Sequence, residues 1–269
     1  MRNLLENPPK LQITRFDSCD STNQLLLHAA ESGAEAGSVF VAREQTAGRG
    51  RRGREWIASP DQSLTFSLLW VFSPDPARLS GLSLAVGLAV VKALSSILSP
   101  GYADVRLGLK WPNDLLIYRA DGTYAKVGGM LIESALRTAS EGGKELAVVI
   151  GIGLNCGDAG AIRQRVIDQH VGALSELYAQ EVMPEALLLT ILEQLRISLS
   201  AFAQQGFAPV RDEWNACNLW QNHWVQIREG DTTLHEGLCQ GVDAEGALCI
   251  KTASSLKRIV AGDVSLRKV

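Results

Sequence analysis

The chain has 269 residues, is 46% hydrophobic and carries a formal charge of −3 with a pI near 5.9. That is enough apolar material for a substantial core, in one large domain or in a large domain with a small companion. The slightly acidic balance excludes a polyanion partner held by overall charge, so any basic chemistry has to be local.

The N-terminal MRNLLENPPKLQ has a charge at position 6 and two prolines, and no apolar run long enough for a signal peptide. No stretch approaches about 18 uncharged apolar residues, so no spanning helix and no membrane contact is expected, and the chain should be cytoplasmic. Five cysteines (Cys19, Cys156, Cys217, Cys239 and Cys249) are odd in number and never spaced C-x-x-C, which argues against a disulfide framework and a zinc site. They are expected to be reduced and mostly buried. The four histidines form no metal-ligand spacing, so no metal held by the protein alone is expected.

Residues Leu11 to Phe16 alternate as a first strand. Asp20, Ser21 and Thr22 then offer helix caps before an apolar run that closes at Gly33, the pattern of a short helix. Ser38 to Ala42 is a second strand, followed by a charged, glycine-rich loop from Arg43 to Glu55. Leu64 to Phe72 suits a buried strand. From Pro76 to Leu98 apolar residues recur at helical spacing, with Pro100 after the end. Strands are expected at Val105 to Lys110, Asp114 to Tyr118, Lys126 to Glu133 and Ala147 to Leu154, the last apolar enough to be covered on both faces. The stretch between Asp158 and Met183 reads as helical and carries no motif. A long amphipathic helix is expected from Pro184 to Gln205 and a second around Pro209 to Cys217. From Gln221 onward, short alternating runs broken by REGD, DAEG and AGD predict a small barrel of hairpins.

The most informative segment runs from Gln45 to Trp56. Between Arg43 and Arg54 stand five arginines and one glutamate, interleaved with Gly48, Gly50 and Gly53. Glycines let a backbone approach a ligand closely, backbone N–H groups in such a turn cradle anions, and arginine forks hold phosphate oxygens. Trp56 offers a flat face for a ring such as adenine. On its own the tract could equally be a solvated loop or an RNA-binding patch, but the chain is acidic and lacks a nucleic-acid module. Lys110-Trp111-Pro112-Asn113-Asp114 sets a lysine beside an amide and an acid on a rigid turn, able to serve a phosphate and a magnesium ion, or to be an ordinary turn. Lys126-Val127-Gly128-Gly129 opens a strand with room for a ligand, or with a bulge glycine. Gly151 to Asn155 ends a buried strand on a polar residue, which tight packing alone could explain.

Together these residues resemble the biotin–protein ligase family. Ser21-Thr22-Asn23, Gln45, the Gly48 to Trp56 loop, Lys110 to Asp114, Lys126 with Gly129, and Gly151 to Asn155 stand in the family's order and at about its spacing, and the likeness extends from about Leu11 to the C-terminus. Gly128 departs from it slightly, where alanine is common. The resemblance implies an α/β (α+β) catalytic domain over residues 1–220, like the core of class II aminoacyl-tRNA synthetases with a mixed, largely antiparallel sheet. It also implies an SH3-like barrel over residues 221–269. Biotin and Mg-ATP would give biotinyl-5′-AMP and pyrophosphate, and the lysine of a biotin carrier domain, as in acetyl-CoA carboxylase, would then displace AMP.

In that reading Ser21, Thr22, Asn23 and Gln45 would bond the biotin head group. Arg49 and Arg51, with the backbone from Gly48 to Gly50, would close over the carboxylate and α-phosphate. Lys126 beside Gly129 would contact the developing mixed anhydride, with Arg51 and Asp114 as further catalytic residues. Arg51, Arg52, Arg54, Trp56, Lys110, Asn113 and Asn155 would surround the ATP, with Lys110, Asn113 and Asp114 nearest its phosphates and magnesium. The loop would be mobile when empty and close on ligand. Some family members carry an N-terminal winged helix-turn-helix and act as repressors; only about ten residues precede the first strand here, so a form without repression and without specific DNA binding is expected. A lipoate–protein ligase is the near rival, favoured less by the K-W-P-N-D turn and the arginine loop. A nucleic-acid-binding protein and a catalytically dead effector-binding module are the distant ones.

Overall fold

The computed structural model describes residues 8–97, 104–139, 142–167, 169–178, 182–229, 232–260 and 265–268. Strand β1 (Gln12–Cys19), helix α1 (Thr22–Glu31) and strand β2 (Ser38–Gln45) form a parallel crossover, followed by β3 (Ser63–Phe72). A 3-10 turn at Pro76–Leu79 leads to α2 (Leu82–Ile97), then β4 (Arg106–Lys110), β5 (Asp114–Tyr118), β6 (Tyr124–Thr138) and β7 (Lys144–Asn155). These seven strands make one mixed sheet in the order β1-β2-β3-β7-β6-β5-β4, antiparallel at every pairing except β1 with β2.

The remaining chain contains α3 (Gly160–Arg165), a 3-10 turn at Leu174–Glu176, α4 (Pro184–Gln205) and α5 (Arg211–Cys217). It ends in β8 (Trp224–Glu229), β9 (Thr232–Val242), β10 (Leu248–Lys251), β11 (Leu256–Ile259) and β12 (Ser265–Lys268), a five-stranded antiparallel SH3-like unit in the order β11-β10-β9-β8-β12.

Strand alternation divides the large sheet into two faces. Phe66, Leu68, Trp70 and Phe72 of β3 and Val148, Ile150 and Ile152 of β7 join the main core with α2 and α4. On the opposite face Leu69, Ala147 and Val149 pack under Leu26 and Ala30 of α1. Helix α1 covers only part of that face. Further along it, Thr65 pairs with Gly153 and Ser67 with Gly151, and Gly129 and Leu131 stand opposite the same two glycines. Polar and small residues therefore floor an uncovered hollow.

Several sequence expectations shift. The helix from Pro76 to Leu98 is broken at Gly81, whose φ of +77° only glycine adopts readily and whose missing side chain makes room for Phe207; Leu98 and Pro100 lie outside the described residues. The stretch from Asp158 to Met183 is mainly irregular, with α3 and one 3-10 turn as its only helices among the described residues. The strand at Lys126 to Glu133 extends to 15 residues because β7 pairs along most of it. Of the cysteines, Cys156 and Cys239 are buried and the other three half-buried, all free. The DAEG turn is present between β9 and β10, with Gly246 at φ +80°; the AGD turn lies outside the described residues.

Helical segments 76–97 and 184–205 are long and apolar enough to cross a membrane, with mean hydropathy 1.7 and 1.5. Packing explains this. Each helix contributes to the main core: α2 is buried along most of its surface, whereas α4 buries one stripe and adds exposed Leu189 and Ile197.

Candidate active site

A cavity of about 380 Å³ opens on the uncovered sheet face. Its walls include Ser21, Thr22, Asn23, Gln45, Arg49, Gly50, Arg51, Arg52, Arg54, Trp56, Lys110, Asn113, Asp114, Lys126 and Gly129, so four segments distant in sequence meet in one place. Two residues expected there are not among the lining. Gly48 packs its backbone on the Trp56 carbonyl, which a Cβ would approach to 2.3 Å. Asn155 is buried behind the wall, its Nδ2 donating to Gly172 O at 3.0 Å.

One end of the cavity is neutral and polar. Ser21 precedes α1 without spending its hydroxyl on the helix. Gln45 Oε1 accepts from Thr22 N at 2.8 Å and lies 3.1 Å from Thr22 Oγ1. Ser67 Oγ lies 2.8 Å from Thr22 Oγ1 and 2.6 Å from Asn23 Oδ1. The Asn23 amide is oriented by its Nδ2, which donates to Leu131 O and Glu133 Oε2 at 3.2 and 3.0 Å. Three oxygen–oxygen contacts thus share two hydroxyl protons, and neither amide can turn to supply another. The cluster is one donor short.

The other end is charged. Lys126 Nζ stands 2.8 Å from Asp114 Oδ1 and Lys110 Nζ 3.4 Å from Asp114 Oδ2. Burial alone would raise the Asp114 carboxyl, but the two ammonium groups outweigh it and hold it down at about 2, so it is anionic throughout the physiological range. Arg51 donates to Asn113 Oδ1 at 3.1 Å, and Asn113 Nδ2 donates to Met130 O at 2.9 Å, tying the loop to the turn. Trp111 Nε1 donates to Gly246 O at 3.1 Å, fastening the same turn to the C-terminal unit. Lys110 also sits 5.0 Å from the Trp220 ring.

The basic loop is a hairpin in which Arg49 bridges Glu55 and Trp56 N donates to Gly48 O at 2.8 Å. Arg52 and Gly53 hold φ of +62° and +70° at its tip. Its two leading arginines diverge. Arg51 reaches the Asn113 end, whereas Arg49 pairs with Glu133 at 3.2 Å beside the polar cluster, not with Arg51 at the charged end. Trp56 lies against Gly153, where a Cβ would come within 2.4 Å of the ring, and Lys126 Nζ is 5.8 Å from its centroid. Trp56 Nε1, in the cavity wall, and Asn155 Oδ1, behind it, are buried without a hydrogen-bond partner.

Lys126 and Gly129 are three apart, so strict alternation would send them to opposite faces. Strand β6 carries one extra residue here: Leu115 pairs with Gly128 but Leu116 pairs with Lys126. This bulge turns Lys126 toward the cavity. Beyond the end of β7, the Lys126 backbone pairs with the segment after α3, Lys126 N donating to His170 O at 2.8 Å and Gly172 N to Lys126 O at 2.9 Å. The end of α3 and the residues after it add Arg165, Val166, Ile167 and Gln169 to the wall, and Arg165 is ion-paired to Glu55 of the loop at 2.9 Å.

Sequence reasoning missed this outer wall, and nothing local marks it. It also missed Thr65, Ser67 and Glu133, for which a signal existed. Thr65 and Ser67 continue from Ser63 a run of three polar residues spaced by two in a strand that is apolar elsewhere, and Glu133 shares the period of Gly129 and Leu131.

Known proteins resemble this chain in sequence and in fold. Residues 15–155 match the Biotin/lipoate A/B protein ligase family, and residues 224–267 match the Biotin protein ligase C terminal domain. The chain is 33% identical over 248 residues to the bifunctional ligase/repressor BirA of Escherichia coli (strain K12), covering 92% of this chain and 72% of that protein. It is 32% identical over 255 residues to the biotin–[acetyl-CoA-carboxylase] ligase of Paracoccus denitrificans, covering 91% and 96%. The structure of the Aquifex aeolicus biotin protein ligase in complex with biotin and ATP superposes with a TM-score of 0.74 at 25% identity, over 96% of this chain and 99% of that one. The chain belongs to the biotin/lipoate A/B protein ligase family, whose matched region holds the sheet, the basic loop and the K-W-P-N-D turn. Within that family it falls among the biotin–protein ligases.

Proposed function

We propose that the two ends of the cavity divide the work of an ATP-dependent biotin–protein ligase. The enzyme condenses biotin with Mg-ATP and passes the biotinyl group to the lysine of a carrier protein such as a subunit of acetyl-CoA carboxylase. The observation that carries the substrate reading is the missing donor among Thr22, Asn23, Gln45 and Ser67. The ureido ring of biotin brings two N–H groups to such a cluster, whereas the dithiolane ring of lipoate brings none. A site whose oxygens outnumber its donor protons discriminates strongly against a ligand that brings no donor. Ser21, Thr22, Asn23 and Gln45 then bind the head group, with Arg49 and the Gly48 to Gly50 backbone closing that end.

Lys126, Arg51 and Lys110 stand at the charged end, where biotin's carboxylate attacks the α-phosphate and pyrophosphate leaves. Two anions meet there, and fixed cations are worth most where that repulsion peaks. Asp114 keeps Lys126 aimed across the cavity, and Arg52 and Arg54 face the outgoing phosphates. Trp56, in the cavity wall, packs on the adenine ring, and Asn155 sits near the nucleotide behind that wall, braced by its bond to Gly172 O. Magnesium enters with ATP, held mainly by its phosphates, with Asn113 and Asp114 beside it. No cluster of three metal-ligating side chains occurs among the described residues. The division into domains at about residue 220 follows the change from α5 to the sheet that opens at Trp224.

Purified protein should release pyrophosphate only when biotin, ATP and magnesium are all present, and should label a carrier domain on one lysine. Pyrophosphate release that lipoate supports better than biotin would move the assignment to the rival ligase. The cytoplasm, which supplies ATP and keeps five unpaired cysteines reduced, is the proposed compartment, and cell fractionation checks it. Specific DNA binding by this 269-residue chain is not expected, because its basic tract is turned into the cavity. A footprint on operator DNA that strengthens as biotinyl-5′-AMP forms would overturn that reading.

A further inference from the structure

Glu133 has no role in the reaction as described, yet its carboxylate joins two parts of the site. It stands on β6, with 21% of its side chain exposed. Oε2 accepts from Asn23 Nδ2 at 3.0 Å, and Oε1 pairs with Arg49 at 3.2 Å. Asn23 is buried in the first turn of α1, while Arg49 belongs to the basic loop and keeps 45% of its side chain in solvent.

We propose that Glu133 is a positioning residue that couples filling of the polar cleft to closure of the basic loop. The inference rests on the reading of that cleft as the biotin head-group site. With the loop down, the carboxylate has a guanidinium on one oxygen and an amide on the other. With the loop away it keeps the amide alone, and a mostly covered carboxylate without its counter-charge is costly. The same carboxylate orients Asn23, because the Nδ2 bond to Glu133 turns Asn23 Oδ1 toward Ser67. A head group that engages Ser21, Thr22 and Asn23 fixes the Asn23 amide, which fixes the Glu133 oxygens, which fixes Arg49. Expelling water from the cleft strengthens the Glu133–Arg49 pair at the same moment. Coupling of this kind is reciprocal: biotin favours the closed loop by the factor by which the closed loop tightens biotin.

Glu133→Gln tests this directly. The amide keeps the shape and an acceptor for Asn23 but removes the charge that holds Arg49. Biotin affinity by calorimetry, tryptic cleavage within residues 43–55 with and without biotin, and thermal midpoint are measured on both proteins. In the wild type biotin should slow cleavage. In Glu133→Gln cleavage should be as fast with saturating biotin as without, and biotin should bind about 5- to 50-fold more weakly. Arg49→Gln, on the exposed loop, should reproduce both effects, and the double variant should add little to either. The midpoint of Glu133→Gln should stay near that of the wild type, which a merely structural role would not allow. Wild-type protection and affinity in Glu133→Gln, or additive losses in the double variant, would overturn the coupling alone. A wild-type chain that binds no biotin would overturn the reading of the cleft and the coupling with it. Should Glu133→Gln not fold, Arg49→Gln carries the test: biotin-dependent protection retained there overturns the proposal, and protection lost supports it.

Discussion

Replacing Lys126 by alanine is expected to slow biotin-dependent pyrophosphate release by about 100-fold or more, the usual cost of one well-placed charge donor. The ammonium is 2.8 Å from Asp114 and faces the cavity because of the bulge in β6. Only a small residue at position 129 leaves room for it, since a Cβ on Gly129 would approach Lys126 Cε to 3.3 Å. Adenylation brings a carboxylate against a phosphate, and their repulsion is larger in the transition state than in the separate substrates. A cation fixed there therefore acts on the rate more than on binding. Biotin affinity should fall much less than the rate, because the head group is held at the other end. Single-turnover pyrophosphate release and biotin calorimetry separate the two effects. An unchanged rate would reduce Lys126 to a structural partner of Asp114.

Gly151→Ala is expected to act on the opposite quantity, weakening biotin by about 100-fold. A Cβ on Gly151 would stand 2.1 Å from Asn23 Oδ1 and 2.8 Å from its Cγ. Asn23 is 3% exposed and held by Ser67, Leu131 and Glu133, so it moves only by giving up some of those bonds. Two hydrogen bonds to the bound head group lost with the displaced Asn23 and its neighbours, at about 1 to 1.5 kcal/mol each, account for that factor. The residue is buried in the middle of β7, where alanine itself fits a strand, so the variant should fold. Calorimetric titration with biotin measures the effect. Near-native affinity would show that Asn23 is not part of the head-group cleft.

Much of the sheet was legible from local pattern. β3, β5 and β7 are apolar runs bounded by turns, and α4 begins and ends where its proline and its apolar stripe indicate. The helix at 76–98 misled because its spacing continues across Gly81, and only the packed Phe207 shows why the chain must break there. In the site, residues whose chemistry is unusual for their position could be found: arginines among glycines, and a lysine beside an acid on a proline turn. Glu133 looked like any strand-end acid until β6 and α1 came together, and Arg165 to Gln169 reach the cavity through tertiary contacts that carry no local mark. The division of Arg49 from Arg51 is of the same kind, since two arginines two residues apart give no hint that they serve opposite ends.

The extra residue in β6 reaches further than the one side chain it turns. Pleating sorts residues by odd and even number, and by that parity the ammonium of Lys126 would belong to the oily layer beneath the sheet with Val127's neighbours. One surplus residue changes the sign of the count, so the charge is delivered to the wet side by arithmetic rather than by the reach of a long side chain. At the same place β7 has run out, and the outer edge of Lys126 is taken by residues 170–172. The residue that carries the charge is thus also the peg on which the site's outer wall hangs. The aim of the cation and the seating of its cover share a single backbone position, so a shift of the backbone there moves both.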